Sequence, residues 1–364
     1  MRKPTGSTSK NATIKDVARD AGVSITTVSN VLNGRTGAMS AETLARVNAV
    51  IGTLDYHPSS TARSLVTGRA ATIAVVFAGR GYSRLFPAVA TIEELVGEAG
   101  YGVALLISKG SDARGGSVHA LGDRQVAGVV SICSSGEVLD DDLRPTLASG
   151  IPLVLLNRNL EVPEAVQVGW DDAGGVASAV AHLLALGHRR IAFLGDPSEP
   201  QSTEVRRQGY LGAMADQGLR PRDEWLKSCG IDASRDKWRK TLTELVTAPP
   251  RPTAAVAASD AVAAVAMREL QRVGVRVPGD FAIVGVGGSD YCPLLNPALT
   301  TVRIPVEEAG RCAAEMLLEM MAGGQSGGQR VTLPCPLIVR ESCGAGARAS
   351  AAGSDQPAHQ RPLW

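Results

Sequence analysis

The chain has 364 residues, of which 44% are hydrophobic, 20% charged and only 4% aromatic, too many for one ordinary domain and too apolar for global disorder. Its 40 glycines and 20 prolines follow no Gly-X-Y period, which excludes a collagen-like chain. The net charge of +1 by itself singles out no polyanionic partner, but residues 1–69 carry nine Lys/Arg against four acids, while residues 70–364 carry 28 basic and 32 acidic groups. A small basic head on a mildly acidic body is the pattern of a nucleic-acid reader joined to another module.

In chain order, residues 1–12 are polar and are expected to form a disordered arm. From Thr13, apolar residues at Ile14, Val17, Ala18 and Ala21 recur at helical spacing, and Thr13 with Asp16 forms a capping-box pattern. Ala21-Gly22-Val23 interrupts this helix. Ser24 is placed to cap a second one that buries Val28, Val31 and Leu32. Two short helices joined by a tight turn make a helix-turn-helix. After a loop, Ser40 caps a third helix with Leu44, Val47, Ile51 and Leu54 inward. The outer face of the second helix is Ile25, Thr26, Ser29, Asn30 and Asn33. These short uncharged side chains can approach base edges and phosphates closely, whereas a face turned only to water more often shows Lys and Glu.

Beyond Gly68 the pattern changes to apolar runs at 72–77, 103–107, 128–132 and 153–156, alternating with helical stretches such as 88–99. A second alternating set follows, with helices at 177–186, 206–216 and 262–273 and strands at 191–194, 254–258 and 282–286. Strands separated by helices imply parallel sheets with crossovers, here two doubly wound lobes. The run 300–305 and the helix 306–321 are expected to return the chain to the first lobe, and 329–339 to finish in the second. Such crossings make a hinged cleft. Residues 344–364 are rich in Ala, Gly, Ser and Pro, show no heptad, and are expected to be a disordered tail.

Other chemistries find little support. The six cysteines form no Cys-x-x-Cys and have no histidine at metal spacing, so buried free thiols are expected, with no metal site and no cofactor. Gly285-x-Gly287-Gly288 does not open a helix within a βαβ unit and reads as a loop after a strand. His182 and His188 read as packing or capping groups, and no nucleophile elbow, metalloprotease motif or P-loop is present, so no enzyme is expected. The start lacks the apolar core of a signal peptide and no apolar run reaches membrane-spanning length, which points to the cytoplasm.

The segments Thr13-Ile-Lys-Asp-Val-Ala, Ala21-Gly-Val-Ser, Thr27-Val-Ser-Asn-Val-Leu-Asn, Tyr56-His-Pro and Ala62-Arg-Ser-Leu resemble the DNA-binding head of the lactose repressor (LacI/GalR) family. The resemblance runs to Ser342, about nine-tenths of the chain. It implies an all-α helix-turn-helix domain at 13–57, a hinge helix at 58–69, and at 70–343 an effector-binding and dimerisation body like that of periplasmic sugar-binding proteins. By position, Ile25 and Thr26 would be the principal base readers and Asn30 a further one, with Thr27 and Ser29 on phosphates; Thr13, Ser24 and Asn33 complete the DNA-facing set. Asn30 stands where some members place Arg, so the preferred operator bases stay open.

In the hinge, Ser59, Ala62, Arg63 and Leu65 would meet the minor groove, with Leu65 wedged between central base pairs. For the effector, Arg206 would be the clamp, with the alternative of a helix-surface arginine in a salt bridge. Asn157, Arg158, Ser259 and Asp260 fall on effector-loop positions, Tyr82 could pack on a ligand, and Phe86 could do so or join the core. The family commonly carries Gly-Tyr/Phe-Asp-Asp where this chain reads Gly285-Val-Gly-Gly288. Either Asp290 replaces the missing carboxylate or the effector is not a simple sugar. The implied function is a repressor that binds a palindromic operator as a homodimer under control of a small-molecule effector, carbohydrate foremost, without membrane contact. The same body without a DNA head would be a solute-binding protein, but such a protein has no counterpart of residues 13–66.

Overall fold

A computed structural model describes residues 12–32, 36–37, 39–54, 56, 70–78, 85–108, 126–133, 146, 148–156, 165–324 and 328–345. The expected hinge, the arm before Ala12, the tail after Ala345, and the side chains of Asn33, Ser59, Ala62, Arg63, Leu65, Tyr82, Asn157 and Arg158 lie outside the described residues. The chain divides into two compact units between Thr72 and Ile73.

The first unit is three helices, α1 (Ile14–Ala21), α2 (Ile25–Leu32) and α3 (Ala41–Thr53). Thr13 caps α1: its hydroxyl accepts from the Asp16 N–H, while the Asp16 carboxylate accepts from the Thr13 N–H at 3.0 Å. The Ser24 hydroxyl accepts from the Thr27 N–H at 3.1 Å and Ser40 serves Thr43 in the same way at 3.2 Å. Val17, Ala18, Ala21, Val28, Val47 and Tyr56 form the core. Arg46 of α3 donates Nε–H to the Ala21 carbonyl at 3.0 Å, satisfying a helix-end acceptor and joining α3 to the turn.

The second unit holds two six-stranded sheets. The first contains β1 (Thr72–Ala78), β2 (Gly102–Ser108), β3 (Gly128–Cys133), β4 (Leu153–Leu156), β5 (Val166–Trp170) and β11 (Arg330–Leu333), in the order β11-β5-β4-β3-β1-β2. The second contains β6 (Ile191–Gly195), β7 (Leu226–Ser228), β8 (Ala254–Ala257), β9 (Ala282–Gly287), β10 (Thr300–Arg303) and β12 (Leu337–Ile338), in the order β12-β10-β9-β8-β6-β7. Both orders reverse after the lobe's first strand, the doubly wound pattern. Between the strands run α4 (Phe86–Glu98), α5 (Asp172–Ala185), α6 (Pro200–Asp216), α7 (Arg235–Thr247), α8 (Asp260–Arg272) and α9 (Val306–Met321). β8 and β4 are buried at every position, as a strand covered on both faces must be.

Three crossings join the lobes, and two differ from expectation. The run at 300–305 does not return the chain to the first lobe: β10 pairs with β9 in the second sheet, and only α9 returns, packing on α4 and on β3, β4 and β5. Residues 329–339 are split, because β11 pairs with β5 in the first sheet and only β12 reaches the second, antiparallel to β10. The Pro334-Cys335-Pro336 break between them prevents one continuous strand. β5, β7 and α7 are additional elements. The α7 signal was Ser234 ahead of Trp238, Leu242, Leu245 and Val246, a buried stripe on an otherwise charged helix.

α5 also begins five residues before the expected 177, at Asp172, since Gly174-Gly175 reads as a turn in sequence but is helical. A Cβ on Gly175 would lie 2.7 Å from both Val302 Cγ1 and Cys335 Cβ, so β10 and the last crossing press directly on the helix backbone. In an open helix Gly→Ala is worth about 1 kcal/mol of stabilisation. Here overpacking of about 1–3 kcal/mol outweighs it, so Gly175→Ala is expected to lower the denaturant midpoint; a raised midpoint contradicts the contact.

Candidate nucleic-acid interface and effector site

In the first unit, α2 presents Ile25 and Thr26 at its front. Ile25 is 45% exposed, although an isoleucine in a three-helix domain this small would ordinarily be recruited to the core. Thr26, Ser24 and Thr13 are exposed, while Thr27, Ser29 and Asn30 are half-buried. The Thr27 hydroxyl lies 2.9 Å from that of Ser24, so these two brace the helix start. The structure thus brings Thr13, Ser24, Ile25, Thr26, Thr27, Ser29 and Asn30 together on one small unit.

In the second unit, the order reversal of the second sheet falls between β6 and β8, and a polar cluster stands at the carboxyl ends of those strands, where open α/β sheets bind ligands. Asp196 follows β6 and is buried; one carboxylate oxygen accepts from the Ser198 N–H at 3.0 Å and from the Ser198 hydroxyl at 2.6 Å, and the other from the Ser259 hydroxyl at 3.0 Å. Ser259 also caps α8 through the Val262 N–H. Asp260, 2% exposed, accepts from the Thr301 hydroxyl and from the Ser289 N–H.

Arg206 does not lie on a helix surface. It is 1% exposed, its Nε donates to Asp172 Oδ1 at 2.7 Å, and its Nη1 donates to the Ala258 carbonyl at the end of β8, also at 2.7 Å. Burial works against its charge, but the Asp172 carboxylate, with Glu199 nearby, keeps its pKa above the ordinary arginine value. The salt bridge weighed in the sequence is present, buried and at the edge of the strand-end cluster.

The turn at Gly287-Gly288 leaves little room for side chains. A Cβ on Gly287 would meet Asp260 Oδ2 at 2.7 Å, one on Gly288 would meet Arg303 Cγ at 2.7 Å, and both residues have positive φ, 148° and 81°. Asp260, not Asp290, is therefore the carboxylate beside this turn; Asp290 is exposed. Phe86 is also exposed, its ring centroid 5.9 Å from that of Phe77 at the end of β1, so it is not a core residue.

Asp196, Ser198, Thr301 and Asp172 were missing from the sequence reading. Only Asp196 had a local signal, its place directly after an apolar strand. His182 Nε2 lies 3.3 Å from Cys343 Sγ and His188 Nδ1 lies 2.9 Å from Thr253 Oγ1. Burial pushes the Cys292 and Cys335 thiols up to about 12, leaving them protonated and unreactive at neutral pH. Among the described residues no group of His, Cys, Asp or Glu could hold a metal, and no helix is long and apolar enough to cross a membrane.

A capped helix-turn-helix followed by a two-lobed body with its polar cluster at a strand-order reversal defines a ligand-responsive DNA-binding regulator. Residues 13–59 match the bacterial regulatory proteins of the lacI family and residues 180–343 a periplasmic binding protein-like domain. The chain is 30% identical over 336 residues to the HTH-type transcriptional repressor PurR of Photobacterium profundum, covering 91% of this chain and 98% of that one. It is 35% identical over 347 residues to the HTH-type transcriptional regulator CelR of Thermobifida fusca, covering 92% and 98%. The solved lac repressor dimer bound to operator and the anti-inducer ONPF superposes with a TM-score of 0.79 at 27% identity, over 92% of this chain and 99% of that one. A CelR–cellobiose complex superposes with a TM-score of 0.64 at 29% identity, over 91% and 99%. The chain belongs to the lacI family of bacterial regulatory proteins, and it is a transcriptional regulator rather than an enzyme.

Two outcomes test the second-lobe geometry. Arg206→Ala leaves Asp172 without its charged partner, and breaking such a pair costs about 3–5 kcal/mol, so urea unfolding should show a loss of that order; a loss below about 1 kcal/mol would mean that the pair is not formed in solution. Gly287→Asp should destabilise by about 1–3 kcal/mol, and combining it with Asp260→Ser should recover part of that loss. Simple additivity of the two changes would show that the side chains do not share one space.

Proposed function

We propose that this chain works in the cytoplasm as a homodimeric repressor on a palindromic operator, switched by a small-molecule effector of carbohydrate type in the cleft of its body. The observation that carries the DNA reading is Ile25, 45% exposed at the front of α2 beside exposed Thr26. An apolar group there suits the methyl of thymine, and a threonine hydroxyl serves a base edge or phosphate. Asn30, Thr27, Ser29 and Asn33 extend the contact along the helix, Thr13 and Ser24 hold its frame, and Ser59, Ala62, Arg63 and Leu65 act in the minor groove. One head makes too few contacts for high specificity, and two heads on a two-fold axis read a palindrome.

For the effector, support comes from the hydroxyls and carboxylates at the ends of β6, β8 and β9, a set matched to a polyhydroxylated ligand. Ser259, Asp260 and Arg206 form the second-lobe side of this site; by the family resemblance Phe86 and Asp290, and outside the described residues Tyr82, Asn157 and Arg158, complete the candidate set. Two relatives were solved with small molecules bound, CelR with cellobiose and the lac repressor with ONPG in a repressed state. Effector binding alters the relative placement of the first lobes in the dimer, and a coupling of about 1–3 kcal/mol changes operator affinity roughly 5 to 150-fold.

Selection from a random duplex library with the full chain at several salt concentrations should yield a palindrome, because phosphate contacts carry the salt dependence and base contacts the sequence preference. On that duplex, Leu65→Ala should weaken specific binding far more than non-specific binding. Absence of any preferred palindrome, with and without metabolites, ends the regulator reading; equal weakening of both kinds of binding removes the Leu65 wedge. Calorimetry against cellobiose, ribose, ribose 5-phosphate and guanine, with wild type and Arg206→Lys, identifies the effector class. A bound compound indifferent to that substitution takes Arg206 out of the site.

A further inference from the structure

The crossing from β5 into α5 carries a carboxylate, Asp172, that touches both lobes. Asp172 has both oxygens engaged, but by partners from different lobes. Oδ1 accepts from Arg206 Nε at 2.7 Å, and Oδ2 accepts from the indole Nε1–H of Trp170 at 3.0 Å. Trp170 is the last residue of β5 in the first sheet and is 8% exposed. Arg206 stands on α6 in the second lobe and reaches the end of β8 through the Ala258 carbonyl. One continuous path of charge-assisted hydrogen bonds therefore runs from β8 through Arg206 and Asp172 to β5.

The surroundings leave this path little slack. The neighbouring Asp171 caps α5 by accepting from the Gly174 N–H at 2.8 Å, and its own N–H donates to the Leu333 carbonyl of β11 at 2.9 Å. Cys335, in the third crossing, packs where a side chain on Gly175 would be. Asp172 thus sits on a backbone pinned by two crossings. Its carboxylate cannot follow one partner without lengthening its bond to the other, and hydrogen bonds weaken steeply outside a narrow range of distance and angle.

We propose that Asp172 is a positioning residue that couples Arg206 to the first lobe, so that displacement of the guanidinium at the strand ends of the second lobe is passed to β5 through the Trp170 indole. This rests on the effector reading above. Arg206 senses the ligand, and the Trp170–Asp172 contact determines whether the first lobe responds. Packed interfaces shift between discrete arrangements rather than deforming continuously, which allows one hydrogen bond at a hinge to act on a whole lobe.

The test uses the full chain, the selected operator duplex and the four probes already named: cellobiose, ribose, ribose 5-phosphate and guanine. Trp170→Phe keeps the ring and removes only the indole N–H; Asp172→Asn keeps the size and one acceptor. For the probe that binds wild type, Trp170→Phe should keep its calorimetric affinity within about threefold, while in both variants the ratio of operator affinities with and without probe falls from the usual 5 to 150-fold range toward unity. In 5-fluorotryptophan-labelled wild type, the Trp170 fluorine resonance, assigned by its absence in Trp170→Phe, should move on addition of that probe and move less in Arg206→Lys.

Unchanged coupling in folded variants, or a Trp170 resonance that ignores the probe, overturns the proposal while leaving the effector reading intact. If no probe binds wild type, the effector reading fails and this proposal falls with it. If both variants fail to fold, the fluorine measurement on wild type decides.

Discussion

The body is organised around a guanidinium removed from water. Arg206 is 1% exposed, and a charge taken that far from solvent persists only if its environment replaces the lost hydration. The replacement is specific: the Asp172 carboxylate on one side and the Ala258 carbonyl on the other. The carboxylate sits in the first turn of α5, where the helix dipole favours negative charge. Satisfying this one cation ties α5, α6 and the end of β8 together, and the other Asp172 oxygen accepts from Trp170 at the end of β5.

Around that constraint the two lobes repeat one plan with different chemistry. Both sheets reverse strand order after their first strand, so both have a natural crevice at the carboxyl ends. In the second lobe the crevice is furnished with Asp196, Ser198, Ser259 and Asp260, three of which come from helix starts or the turns just before them. In the first, the described part of the same region offers the exposed ring of Phe86 over Phe77. The turn at Gly287 and Gly288 is crowded from both sides, a Cβ at 287 meeting Asp260 and one at 288 meeting Arg303.

The DNA-binding unit relies on different forces. Its core is only a handful of small apolar residues, and its helices are too short to persist alone in water. Side-chain caps at Thr13, Ser24 and Ser40 and the Arg46 bond to the Ala21 carbonyl supply the local definition that the small core cannot. Because these polar ties hold the start of α2, Ile25 and Thr26 remain available to the surface.

Local rules in the sequence were sufficient for the helix-turn-helix, its caps and its exposed residues, since capping and helical periodicity act over three or four positions and leave a direct trace in residue order. They also reached most of the alternation of strands and helices, because strands buried on both faces are largely apolar, but not β5, β7 or α7. Tertiary structure alone decided which sheet each late strand joined, that Gly174-Gly175 is helix, and that Arg206 is buried against Asp172. It likewise decided that Asp260 takes the room of a side chain at 287. Each of these depends on residues tens of positions apart meeting within a few ångströms, and contacts at that separation are set by how the two sheets pack and cross, which no local pattern records.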